Sequence, residues 1–278
     1  MTSTRCADLS EAAQEPISAT ATNALNWLLV EVRGTWPRDV SDLGGFDPGS
    51  RIAITTWLEQ TPSSRVLFIR RPGGARGQRT AFVVDASEHE PLVRRLELKA
   101  GGFDPARAGD ELSSQFVLVC GHGTRDACCA LRGSAVFGAL REIVPPENLW
   151  LSSHQGGHRF AANVLVLPAG IQLGRVAPDD AAVVVGDALQ GQIPLEHYRG
   201  RVAYTAREQA AESAVRESRG LVRATDVNLV GDDGTHVIFR DPDGNELRAI
   251  PEEIAGPAVP ASCGVEPEPQ RHYAARVA

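Results

Sequence analysis

The chain has 278 residues, 42% of them hydrophobic and 23% charged, the balance of a folded globular protein long enough for two ordinary domains or one elaborated one. Its net charge of -7 speaks against a nucleic-acid binder, which needs a basic face. No apolar run approaches the roughly 18 residues of a membrane span, and the polar stretch 1–18 lacks the pattern of a signal peptide, so a cytoplasmic protein with neither membrane nor nucleic-acid partners is expected.

Residues 1–23 are polar and read as an arm. A buried strand follows at 26–32, then a loop at 34–50 rich in Gly, Pro and Asp, then a helix at 51–60 that stops before Pro62. Strands are expected at 66–70 and 80–84, joined by the turn-forming Pro72-Gly73-Gly74, and a short helix or strand at 90–98. The Gly- and Pro-containing stretch 101–110 is the candidate boundary of an N-terminal α/β unit, residues 1–110.

A second unit, 111–203, opens with a strand at 115–120 that ends in Cys120. A loop to Asp126 leads into a helix at 129–143, whose Leu131, Val136, Phe137 and Leu140 make one packing stripe. A strand at 148–152, a hairpin at 163–176 and a helix at 179–189 complete it. This order predicts an α/β (α+β) fold: a thioredoxin-like mixed sheet with flanking helices. The first unit has a comparable order and reads as a degenerate copy. The remainder, 204–278, is expected to hold a helix at 204–218, a three-stranded meander turning at Asp232-Asp233-Gly234 and Asp241-Pro242-Asp243-Gly244, and a Pro-rich tail from Gly256.

Candidate chemistry concentrates in the second unit. His154 and His158 bracket Gln155-Gly156-Gly157; paired glycines disfavour a helix by roughly 1 kcal/mol each, so a loop that turns both imidazoles toward one point is expected. Cys120 and the pair Cys128-Cys129 flank a loop leaving the same end of the sheet. The five cysteines of the chain are odd in number and unevenly spread, which does not suit a disulfide framework, and clustered cysteines in a reducing compartment are more often metal-binding or redox-active.

Two thiolates and two imidazoles form a complete metal ligand set. Zinc accepts such a set, but zinc knuckles space their cysteines by two to four residues, and here seven or eight intervene. A two-iron cluster with a cysteine pair on one iron and a histidine pair on the other suits the wider separation.

Together, Cys120-Gly121-His122 with Arg125-Asp126-Ala127-Cys128-Cys129, and Ser153-His154-Gln155-Gly156-Gly157-His158-Arg159-Phe160-Ala161, resemble the sucrase/ferredoxin-like family. The resemblance runs over about residues 27–204 and is strongest over 117–176. It implies a thioredoxin-like [2Fe-2S] ferredoxin whose ligands are Cys120, Cys129, His154 and His158, with Cys128 as the alternative to its neighbour. It also implies an electron carrier serving redox donor and acceptor proteins that the sequence does not name. Neutral imidazoles in place of two thiolates raise the potential to roughly -150 to +300 mV, against about -400 mV for plant-type ferredoxins. An outer imidazole nitrogen that ionises would couple electron to proton transfer. No paired carboxylates stand near the motif, so glycosidase activity is not expected. The competing readings are a zinc-stabilised binding module on the same four residues and a thiol oxidoreductase using Cys128/Cys129 or Cys120.

Around these residues, His122 is expected to hydrogen-bond near the site or face solvent, and Arg125 and Asp126 to form a local ion pair. Arg159 either hydrogen-bonds near the site or lies over the sheet. Trp150 and Phe160 are expected as flanking core residues. Cys6 and Cys263 read as unrelated thiols that reach the site only if the termini wrap back. Gly121-His122-Gly123 lacks the third glycine of a dinucleotide fingerprint and is set aside.

Overall fold

The computed structural model describes residues 5–43, 45–72, 79–98, 102–107 and 109–278. The elements run α1 (Cys6–Ala12), β1 (Asn26–Glu31), α2 (Pro48–Gln60), β2 (Ser64–Arg70), β3 (Arg79–Asp85), β4 (Leu92–Leu98), β5 (Asp110–Leu112), β6 (Phe116–Cys120), α3 (Ala127–Leu140), β7 (Leu149–Ser152), β8 (Val164–Leu167), β9 (Ile171–Leu173), α4 (Ala181–Leu189), β10 (Tyr198–Arg201), α5 (Ala206–Arg219), β11 (Asn228–Asp232), β12 (Val237–Arg240), β13 (Glu246–Pro260) and β14 (Pro267–Val277).

Among the described residues one ten-stranded sheet has the order β10-β9-β8-β6-β7-β2-β1-β3-β4-β5. Within it β6 runs parallel to β7 and antiparallel to β8, which pairs antiparallel with β9. That is the thioredoxin-like layout expected for the second unit. The first half repeats it: β1 is parallel to β2 and antiparallel to β3, which pairs antiparallel with β4. The halves join where β2 meets β7 antiparallel, at Ile69↔Ser152 and Arg70↔Leu151.

Strand alternation gives the sheet two apolar faces. Leu28 and Val30 point to the face covered by α2, α3 and α4 through Ile54, Trp57, Val136, Phe137, Leu140 and Val185. Trp27 and Leu29 point to the other, with Phe82, Phe116, Leu118 and Trp150. Helix α5 packs on a second, four-stranded sheet, β11-β12-β13-β14, over a separate core around Val215, Val237 and Phe239.

Several expectations are corrected. Within the expected arm, residues 5–23 are not loose, because α1 buries Cys6 and Ala7 and the chain after it buries Glu15. Leu131 is not part of the packing stripe of α3; it is 52% exposed. Of the two forms expected for 90–98, helix or strand, the chain takes the strand, over Leu92–Leu98. The Pro-rich tail is the far half of β13 and all of β14, a long hairpin whose turn holds Cys263. The Gly73-Gly74 turn, and Gly101 within the expected boundary, lie outside the described residues. No helix among the described residues is long and apolar enough to cross a membrane.

Candidate metal centre

Two parallel strands end at the site. Cys120 is the last residue of β6, opposite Ser152 of β7, and both chains then turn away in loops from the same sheet end. The first loop is held by its own cap: Asp126 accepts from the backbone N–H of Cys128 (2.8 Å) and starts α3. Gly133 brings this helix hard against the strand end, since a Cβ there would fall 1.9 Å from the Cys120 carbonyl oxygen. Cys129 is one helical turn before Gly133, so it shares that face and looks at Cys120. Cys128, one residue earlier, is rotated away.

The sulfurs of Cys120 and Cys129 and a ring nitrogen of His154 lie within 4.8 Å of one another, with both cysteines fully buried. The His154 and His158 rings stand 4.5 Å apart, centroid to centroid, inclined by 31°. His158 is not within the 4.8 Å spacing of all three other donors. The Nδ1 atoms of both histidines are buried without a hydrogen-bond partner. Hydrogen bonding from Cys129 holds the Cys120 thiol well below the ordinary range against its burial, with His154 adding to the effect. Donation to Cys120, together with burial, pushes Cys129 up. Burial and the neighbouring His154 bring the His158 imidazole down to about 4, so it is neutral near pH 7, the form that ligates metals.

The loop carrying the histidines is irregular until a short 3-10 turn, His158–Phe160. Gly156 and Gly157 take positive φ, +93° and +64°. A Cβ at Gly157 would also lie 2.6 Å from Nη2 of Arg199, a side chain buried at 1% exposure. Arg199 donates to the Gly156 carbonyl (3.0 Å), Asn163 Oδ1 (2.8 Å) and both oxygens of Thr20, while Asn163 Nδ2 holds the Gly157 carbonyl (2.9 Å). Gln155 is anchored to the Leu118 carbonyl and Ser152 Oγ, both at 2.8 Å. From the first half of the sheet, Arg65 reaches the His154 carbonyl at 3.0 Å. Arg199, Arg65 and Gln155 escaped sequence reasoning; a strand reading Tyr198-Arg199-Gly200-Arg201 inside an apolar sheet was the available signal.

His122 is buried. Its Nδ1 accepts from the His154 backbone N–H (3.1 Å), which leaves Nε2 to donate to the Pro37 carbonyl (2.8 Å). Arg159 donates to Glu15 Oε1 (2.7 Å) and lies over the Phe160 ring at 4.6 Å; Trp150 and Phe160 are buried as expected. The expected Arg125–Asp126 ion pair is replaced by another arrangement: Asp126 Oδ1 accepts from the Cys128 N–H and the Cys263 thiol, and Oδ2 from the Cys263 N–H. His154 borders a cleft of about 220 Å³ that Arg38, Arg65 and Arg125 line.

The cysteines sort into two groups. Cys128 stands apart from Cys120, 3.6 Å from Cys6 and 3.4 Å from Cys263, sulfur to sulfur. The two terminal thiols thus do wrap back, but onto Cys128 rather than onto the histidines.

The sequence model of the sucrase/ferredoxin-like family matches residues 17–200. Among curated proteins the chain is similar to "Altered inheritance of mitochondria protein 32" of Meyerozyma guilliermondii, 32% identical over 102 residues that cover 33% of this chain and 36% of that protein. The proteins of the same name from Saccharomyces kudriavzevii and Saccharomyces cerevisiae are each 32% identical over 108 residues, covering 34% of this chain and 35% of theirs. The chain thus matches little more than a third of the length of these relatives. No solved structure matches.

Proposed function

The chain belongs to the sucrase/ferredoxin-like family, and from that premise we propose that it is an electron-transfer protein holding one [2Fe-2S] cluster through Cys120, Cys129, His154 and His158. The observation that carries the reading is the pair of buried, unpartnered Nδ1 atoms on two histidines whose rings stand 4.5 Å apart, one of them, His154, grouped with two buried thiols. Buried polar nitrogens without partners are costly, and metal ligation is the ordinary way to satisfy them. The offset of His158 from the other donors supports a cluster over a single tetrahedral zinc ion, which would gather all four into one shell. A dithiol function for Cys128 and Cys129 is poorly supported, because the two sulfurs belong to different groups.

When bound, the cluster supplies one-electron transfer at a potential raised by its imidazole ligands and coupled to a proton on them. The protein's residues do the rest. Cys120 and Cys129 keep their end of the pocket dry. His154, less buried than His158, faces the arginine-lined cleft and is the contact point for a redox partner. The backbone bond from His154 to His122 and the Arg65 contact fix the orientation of that loop.

Visible and EPR spectra of anaerobically purified protein test this. The wild type should be brown and bleach with dithionite. His154→Cys and His158→Cys should each shift the spectrum, Cys129→Ser should abolish it, and Cys128→Ser should leave it intact. Colourless protein, or spectra untouched by both histidine substitutions, would overturn the assignment.

A further inference from the structure

A second donor cluster lies beside the first. Cys6 from α1, Cys128 from the first turn of α3 and Cys263 from the β13–β14 turn bring their sulfurs within 3.4–3.6 Å of one another in all three pairings. Asp126 joins them: Oδ1 is 3.3 Å from the Cys263 sulfur and 3.9 Å from that of Cys6, and the four donors are all within 4.8 Å. Cys6, Cys128 and Asp126 are 1%, 0% and 4% exposed.

Those spacings are informative. A tetrahedral zinc ion with Zn–S bonds of roughly 2.3 Å and a Zn–O bond of roughly 2.0 Å sets sulfurs about 3.8 Å apart and sulfur from oxygen about 3.5 Å. Three mutually equidistant sulfurs are not what packing of thiols as small hydrophobes requires, and a carboxylate among them works against that role. Asp126 is a buried carboxylate that meets the thiols of Cys6 and Cys263, beside the backbone N–H groups of Cys128 and Cys263.

We propose that Cys6, Cys128, Cys263 and Asp126 form a structural zinc site, separate from the cluster pocket, that fastens both ends of the chain to helix α3. Three thiolates with one hard carboxylate select a divalent borderline ion; a copper(I) site would have thiolates without the oxygen. With four protein donors the site is closed, as structural zinc sites are. Backbone N–H groups of Ala7, Cys128 and Cys263, together with the N-terminal end of the 14-residue α3, offset the negative charge that four anionic donors leave over. Binding releases the thiol protons to solvent, and no electron moves. The site does not depend on the [2Fe-2S] reading, since it shares none of those four ligands.

Zinc and iron per chain, measured by mass spectrometry on full-length protein expressed with zinc and purified without chelator, test it. About one zinc per chain is expected in the wild type, falling at least about tenfold in Cys6→Ser and Cys263→Ser while iron and the visible spectrum stay as in the wild type. Iron absent from every sample would count against the cluster alone and leave the zinc comparison readable. Cobalt added to zinc-stripped wild type should give a thiolate-to-cobalt charge-transfer band without recourse to any variant, which covers a Cys6→Ser chain that fails to fold. Wild type without zinc and without that band, zinc unchanged in both variants, iron lost in place of zinc, or a disulfide among the three cysteines would overturn the proposal.

Discussion

Gly157 is under two separate constraints, a left-handed backbone and the head of Arg199 where a Cβ would stand. Gly157→Ala should therefore cost about 1–3 kcal/mol in urea unfolding and, on the proposed function, lower occupancy of the proposed cluster by displacing the histidine loop. Gly138, in α3 with open space around its Cβ position, is the matching control; Gly138→Ala should be neutral or stabilise by about 0.5–1 kcal/mol. Equal effects at the two positions would refute the argument from Arg199. At this scale the sequence was readable where donors are local. His154-Gln155-Gly156-Gly157-His158 announces itself by residue type and spacing, and the close approach of Gly133 then separates Cys129 from Cys128. Arg199 was not readable: it lies more than forty positions beyond the loop it holds, in a strand whose charge content looks like exposure.

Among the elements, β10 and α5 meet through a buried polar knot. Glu212 accepts from Tyr198 (2.8 Å), Arg201 (3.3 Å) and Arg216 (2.9 Å), all of them buried. Glu212→Ala leaves two buried guanidiniums without this carboxylate and should cost about 3–5 kcal/mol. A thermal shift within error of the wild type would show that the knot does not tie α5 to the large sheet. Strand and helix types were largely legible from periodicity, since β1, β2, β3 and β6 are near-continuous apolar runs buried on both faces. The end of the chain was not. Pro257, Pro260, Pro267 and Pro269 read as a tail, yet they fall where β13 pairs with β14 alone or along β14, the sheet edge, positions at which a missing N–H is tolerated. The phase of α3 was misjudged at Leu131 because Cys128, Cys129 and Gly133 turn the buried face toward the site.

For the whole molecule, the repeated strand order of the two halves makes the first a scaffold: its Arg65 holds the histidine loop, but its own strand ends offer no cysteine or histidine pair. Glu15 ties three regions together, accepting from Ser10 (2.7 Å) of α1 and from Arg159 (2.7 Å) beside the histidines, and meeting His272 (3.1 Å) of β14. Burial alone would raise its carboxyl, but the bonds from His272, Ser10 and Arg159 hold it below the ordinary value. A folded value below the unfolded one means that the stabilisation is present above about pH 4.3 and is lost as pH falls through the folded value. Glu15→Gln should thus be less stable by about 2–4 kcal/mol at pH 7, with the gap to the wild type closing in acid. A gap that is the same at pH 3 and pH 7 would contradict this.

The turn that carries Cys263 also imposes a timetable on synthesis. Cys120, Cys129, His154, His158 and the Arg199 that holds their loop are all translated before β13, so their pocket can close while the ribosome is still at work. Cys6 is made before all of them, yet its partner Cys263 stands 257 positions later. Helix α1 must therefore wait for that whole span to be translated before its neighbours are complete. A ribosome that stalls before the β13–β14 turn releases a chain with Cys120, Cys129, His154 and His158 already made and Cys6, Ala7 and Cys128 lacking the cover of Cys263.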